Sequence, residues 1–173
     1  YGPKNITGIK PGIVSAAAGL AAYQAIVSAV EDTVAGRVAA VVTAPINKLA
    51  FSQAGLPWKG HTDLLSNLTS SKQVAMMFWS DRLKVILATA HLPLAKVSEV
   101  LTRELLDDII TIAAQELPAL GILNPRLAMA GLNPHAGEDG VLGDEETRIV
   151  VPAIKAARAT GIEISGPFPA DTV

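Results

Sequence analysis

The chain contains three histidines and no cysteine, so whatever imidazole chemistry it does must come from those three positions. His91 follows an apolar run that ends at Thr89–Ala90 and precedes Leu92–Pro93. His135 lies in Gly131-Leu132-Asn133-Pro134-His135-Ala136-Gly137-Glu138, directly after the run Leu127–Ala130. His61 stands in Pro57-Trp58-Lys59-Gly60-His61-Thr62. A single loop histidine is most simply a surface residue making one hydrogen bond. His91 and His135 are different, because each sits beside Pro or Gly at the exit of an expected strand. Open parallel sheets bind ligands in the crevice at the carboxyl ends of their strands. Imidazole suits a borderline divalent cation such as zinc, cobalt or nickel, and it serves acid–base work equally well. Two histidines fall short of the three protein ligands usual at a catalytic metal. Spacing offers no third, since there is neither an H-x-x-x-H pair nor a carboxylate cluster at EF-hand spacing.

Asp171, in Gly166-Pro167-Phe168-Pro169-Ala170-Asp171-Thr172, is the other acidic residue in a turn-rich setting. On spacing alone it reads as a turn or cap residue. Lys48 follows Thr43-Ala44-Pro45-Ile46-Asn47 near an expected helix start, where an anion could sit. Gly137, Gly140 and Gly143 recur every third residue, which is not the dinucleotide fingerprint, and no phosphate-loop sequence occurs anywhere. Glu138, Asp139, Asp144, Glu145 and Glu146 read as a solvated loop leading into an acidic helix start.

These residues need elements to hold them. Val14–Ala35 has apolar residues at Leu20, Tyr23, Ile26, Val27 and Val30, near helical spacing, and Gly36 is a stop. Its alanines suit packing on a sheet. Val38–Val42 is a continuous apolar run, expected as a strand buried on both faces. Short helices are expected over Asn47–Ala54, closed by Gly55, and over His61–Leu68. Val74–Trp79 and Leu83–Ala88 are strand candidates joined by Ser80-Asp81-Arg82, a hairpin length. Thr102 caps an amphipathic helix running to Leu117. Arg126–Ala130 is a strand, and Glu145–Thr160 is a helix that Pro152 kinks or restarts, with Gly161 beyond its end. Ile162–Ile164 begins a further strand. This alternation indicates an α/β layer fold with a mostly parallel sheet and one antiparallel pair.

Composition narrows the class. At 173 residues the chain is enough for one ordinary domain, and 50% hydrophobic content with 17% charge excludes a disordered polyelectrolyte. Aromatics are 4%, so the core is aliphatic. A formal charge of -2 advertises neither nucleic acid nor a membrane surface as partner. The absence of cysteine removes disulfides, thiolate metal sites and cysteine nucleophiles. No apolar run reaches the roughly 18 residues of a spanning helix, and no signal peptide is evident. A soluble, cytoplasmic protein is the expectation.

Val42-Thr43-Ala44-Pro45-Ile46-Asn47-Lys48, Gly60-His61-Thr62-Asp63, Ala90-His91-Leu92-Pro93-Leu94, Gly131 to Glu138 and Gly166 to Thr172 occur in that order. Together they closely resemble the 4-hydroxythreonine-4-phosphate dehydrogenase family of pyridoxal phosphate biosynthesis, over essentially the whole chain. The resemblance implies an isocitrate/isopropylmalate-dehydrogenase-like α/β/α fold without a Rossmann domain, consistent with the missing fingerprint. It implies a homodimer with its active site at the subunit interface, a small phosphorylated hydroxy acid as substrate, NAD or NADP, and one divalent cation (zinc, magnesium or cobalt). The reaction it implies is NAD(P)-dependent oxidation of a secondary alcohol to a β-keto acid that loses carbon dioxide. By the match, His91 and His135 correspond to two of three metal-binding histidines, His61 and Thr62 to a substrate-binding pair, and Asp171 to an acidic active-site residue. The family's early Gly-Asp-Pro-Gly-type segment is expected before Tyr1, and its Tyr-His-Asp-Gln-Gly segment, with the third ligand, after Val173. Residues 1–173 are then a central fragment of a two-domain dehydrogenase, inactive by itself, with no internal boundary marked in the sequence. Relatives acting on threonate or erythronate 4-phosphate fit the same motifs, and a non-catalytic ligand-binding or dimerisation module is the competing class.

Overall fold

The structure is a computed structural model that describes residues 8–172. The chain divides into two compact units, Tyr1–Val74 and Ala75–Val173.

The first unit is helical among its described residues. Helix α1, Ala16–Val34, starts where the Ser15 hydroxyl accepts the N–H of Ala18 at 3.3 Å, and ends before Gly36, whose φ of +70° a side chain would resist. Helix α2, Lys48–Gln53, is capped by Asn47, whose side-chain oxygen accepts from Ala50 N–H at 2.9 Å. Helix α3 is His61–Thr69. Ile26, Val30, Phe51 and Leu64 form the buried centre where α1 meets α2 and α3. Phe51 and Leu64 are fully buried, whereas Leu20, on the expected apolar face of α1, is 44% exposed. The small residues of α1 therefore serve helix packing rather than a sheet: Gly19 lies against the Ala50 carbonyl, where a Cβ would overlap it.

The expected strand at Val38–Val42 is absent. The stretch is extended or bent with no ladder partner among the described residues, and Val42 is 98% exposed. An apolar run becomes a buried strand only when neighbouring strands take up its N–H and C=O groups, and this unit has none among the described residues.

The second unit holds two small sheets. Strands β1, Met76–Trp79, and β2, Lys84–Leu87, form an antiparallel hairpin in which Met76 faces Leu87 and Trp79 faces Lys84. The Ser80 hydroxyl accepts the Leu83 N–H at 3.0 Å and closes the turn, and the Lys84 ammonium lies 4.8 Å over the Trp79 ring, at cation–π range. A short helix α4, Val97–Val100, leads to α5, Arg103–Glu116, where the Thr102 hydroxyl caps Leu105 N–H at 3.2 Å. Strand β3, Leu127–Ala130, pairs in parallel with β4, Ile164–Phe168. The crossover between them contains α6, Val151–Ala159, entered through a wide turn over Glu146–Val150 in which Val151 N–H reaches back to the Glu146 carbonyl. Pro152 explains that turn: it has no N–H for the carbonyl of Arg148, and its ring presses on that carbonyl, so the turn before it opens. Leu106 and Ile110 of α5 pack on Ile149, Val150, Ala153, Ile154 and Ala157, with Ile164 of β4 completing the core. The α/β content and the parallel pair match expectation. Among the described residues, one parallel and one antiparallel pair replace a mostly parallel sheet.

Candidate functional site

His91 and His135 are both in the second unit, and both follow strands. β2 ends at Leu87 and His91 comes after it with an exposed side chain and a φ of +58°. β2 pairs with β1 in a hairpin, so His91 does not leave a parallel sheet as the sequence pattern suggested. β3 is the parallel strand, and its exit leads through Asn133 and Pro134 to His135, also exposed.

The backbone around His135 is unusual. His135, Ala136, Gly137, Glu138 and Asp139 have φ of 53, 54, 83, 43 and 52°, a continuous left-handed turn. For residues with a Cβ this conformation costs about 1–2 kcal/mol each. It persists only where surrounding structure over-determines it, and such residues cluster at functional sites. Hydrogen bonds from Ala136 N to Asn133 O (3.1 Å), Val141 N to Glu138 O (3.1 Å) and Leu142 N to Gly137 O (3.0 Å) close it locally.

The acidic run beyond the turn is not uniformly solvated. Glu138, Asp139 and Asp144 are exposed, but Glu145 is half-buried and Glu146 is only 3% exposed. Glu146 Oε1 accepts the backbone N–H of Asn133 at 2.7 Å, and its Oε2 accepts the Asn133 side-chain amide at 2.9 Å. The same amide nitrogen donates to Glu145 Oε2 at 2.7 Å. Burial pushes the Glu146 carboxyl upward, yet the two Asn133 donors and the backbone N–H groups of Glu146 and Leu132 outweigh it and hold it below the ordinary carboxylate value. Sequence reasoning missed this pair because the partners are 13 residues apart. The signal available was the run of glycines, which leaves room for a side chain to enter the loop.

His61 and Thr62 belong to the first unit, at the start of α3. Thr62 is exposed, and His61 Nε2 is enclosed without a hydrogen-bond partner among the described residues. A buried polar nitrogen left unpaired costs about 1–3 kcal/mol, so a hydrogen-bond partner at this position is favoured. Asp63 holds the turn that carries His61: its carboxylate accepts Lys59 N–H at 2.5 Å and Gly60 N–H at 2.8 Å. Slight burial raises the Asp63 carboxyl, and those backbone N–H groups more than reverse it, so it lies below its ordinary value. Lys48 is exposed at the first position of α2, a helix too short to concentrate a dipole.

Asp171 is exposed in the turn after β4, where Thr172 N donates to Pro169 O at 3.2 Å. That turn borders an open concavity of about 260 Å³ lined by Ala128, Phe168, Pro169 and Thr172. Among the described residues no three His, Asp or Glu side chains come together as a metal set.

Residues 3–173 match the family described as pyridoxal phosphate biosynthetic protein PdxA. The chain belongs to the PdxA family. It is 47% identical to a D-threonate 4-phosphate dehydrogenase of Pectobacterium atrosepticum, over 95% of this chain and 51% of that protein. It is 47% identical to a 4-hydroxythreonine-4-phosphate dehydrogenase of Beijerinckia indica, over 94% of this chain and 48% of that one. The crystal structure of a 4-hydroxythreonine-4-phosphate dehydrogenase from Klebsiella pneumoniae superposes with a TM-score of 0.92 at 45% identity, covering 96% of this PdxA-family chain and 50% of that chain. The chain thus spans about half the length of the curated relatives it matches. No helix among the described residues is long and apolar enough to cross a membrane.

Proposed function

We propose that this chain is part of a metal- and nicotinamide-dependent dehydrogenase that oxidises 4-phosphooxy-threonine, followed by decarboxylation to 3-amino-2-oxopropyl phosphate, in pyridoxal phosphate biosynthesis. The observation that carries the reading is the pair His91 and His135: two exposed imidazoles after strands of one unit, each on left-handed backbone that a mere surface residue does not need. As a donor set they fit zinc or cobalt better than magnesium, which prefers oxygen ligands. His91 and His135 would hold a divalent cation, which would supply Lewis-acid stabilisation of negative charge on the substrate oxygen. A bound NAD or NADP would supply the hydride acceptor.

The chain's own residues do the positioning. His61 Nε2 is an enclosed polar atom without a partner, suited to hydrogen-bond an anionic substrate, and the Thr62 hydroxyl beside it is free to reach solvent. Together they would orient the carbinol carbon for hydride transfer. Asp171, exposed beside the concavity after β4, serves as an acidic group of the active site. The reading includes the isocitrate/isopropylmalate-dehydrogenase-like architecture, a cytoplasmic homodimer with the site at its interface, and the third metal ligand on sequence outside 1–173.

A second substrate, D-threonate 4-phosphate, is favoured by the name of the Pectobacterium relative. The test is to follow nicotinamide absorbance with the full-length protein and each phosphorylated acid, before and after chelation and metal return. Metal-dependent reduction with 4-phosphooxy-threonine supports the main reading. Reduction with threonate 4-phosphate alone favours the second, and reduction with neither leaves the non-catalytic module.

A further inference from the structure

The residue types of the turn that presents His135 do not favour left-handed backbone. Four of its five residues carry a Cβ and so resist positive φ, and within the loop three backbone hydrogen bonds close it. A further restraint comes from outside the turn. Glu146, at the start of the wide helical turn, sends its carboxylate into the loop, where Oε1 takes the Asn133 N–H and Oε2 takes the Asn133 amide. It lies between the loop's two arms. A Cβ on Gly137 would come within 2.8 Å of Oε2, and one on Gly131 would meet Ala136 Cα at 2.9 Å and Oε1 at 3.1 Å. Glycine at 137 leaves room for the carboxylate, and glycine at 131 leaves room for both the Ala136 backbone and the carboxylate. Every hydrogen-bond partner it meets donates an N–H, so an amide in its place would turn an NH₂ toward a donor.

We propose that Glu146 is the positioning residue for His135: its carboxylate pins Asn133 and, through it, the left-handed turn, and so sets the direction in which the His135 imidazole leaves the loop. This rests on the reading of His135 as a metal ligand. The geometry parallels the general behaviour of groups that orient ligands, whose loss weakens metal binding without removing a ligand.

The test uses the full-length protein and cobalt as probe, with calorimetric affinity and the visible absorption of the saturated protein as readouts. Glu146→Gln is expected to weaken cobalt binding about 10- to 100-fold and to shift the visible band at saturation. A merely structural contribution would lower the unfolding temperature and leave the saturated spectrum unchanged, and that result overturns the proposal. His135→Ala is run beside it. If His135→Ala binds cobalt as the parent does, the ligand reading itself has failed. If His135→Ala loses cobalt while Glu146→Gln keeps parental affinity and spectrum, the ligand reading stands and the positioning role falls. Should Glu146→Gln not fold, Asn133→Ala replaces it, since this variant keeps the backbone bond to Oε1. A smaller loss of the same kind is then expected, and parental affinity and spectrum overturn the proposal.

Discussion

Gly19 on α1 lies directly against the backbone carbonyl of Ala50 on α2, so closely that no side chain fits between the two helices. In an isolated helix, replacing Gly by Ala gains about 1 kcal/mol. Here the added methyl meets backbone, which cannot rotate away, and overpacking of this kind costs about 1–3 kcal/mol. Gly19→Ala is therefore expected to lower the thermal unfolding temperature, followed by circular dichroism. A rise would mean that α2 shifts freely.

His61→Ala is expected to raise the Michaelis constant of the full-length enzyme for the phosphorylated acid while bound metal stays at parental level. A hydrogen bond to a charged group is worth about 1.5–3 kcal/mol, which corresponds to roughly a 10- to 150-fold change. Loss of metal, or an unchanged constant, would remove His61 from the substrate contacts.

Replacing His91 or His135 by Ala is expected to lower metal affinity at least as much as loss of an orienting group does, about 10–100-fold or more. Metal analysis after dialysis reads this directly. Unchanged metal content in both variants would dismiss the pair as ligands.

Acid stability should depend on Asp63 and Glu146 with one sign. Both carboxyls lie below their ordinary values in the folded chain. At neutral pH their contribution is fully present. As pH falls through the ordinary carboxylate range the unfolded chain takes up protons first, and stability is lost until the folded carboxyls protonate too. Asp63→Asn and Glu146→Gln should each flatten the acid limb of stability against pH, measured by urea unfolding. An equally steep limb in a variant would show that its carboxylate is not held by those N–H groups.

Much of this architecture was legible in sequence. Thr102 announced its helix because capping is local chemistry between residues a few positions apart, and the structure adds Ser15 and Asn47 as caps of the same kind. The hairpin at Ser80–Arg82 and the restart at Pro152 were equally local. Val38–Val42 misled because hydrophobicity alone cannot say whether partner strands exist. The conformation at His91 and His135 was invisible, since neither residue type asks for positive φ. Glu146 looked like its solvated neighbours, and only the fold brings Asn133 to it. Asp63 stands within the Gly60-His61-Thr62-Asp63 motif, but the two N–H groups it accepts show that its place there is architectural.

The wide turn before Pro152 also acts as a phase shift. Closing on the Glu146 carbonyl, it counts one residue more than an α-turn, and each residue of an α-helix advances the side chain by about 100°. Everything upstream of Val151 is therefore rotated by that amount relative to α6. If the same residues instead ran on as a regular α-helix, Val151 would close on Thr147 rather than Glu146, and Glu146 would swing about 100° round the axis and away from Asn133. The irregular geometry of this helix is thus a clocking device: it decouples the face that α6 buries from the direction in which its leading carboxylate points.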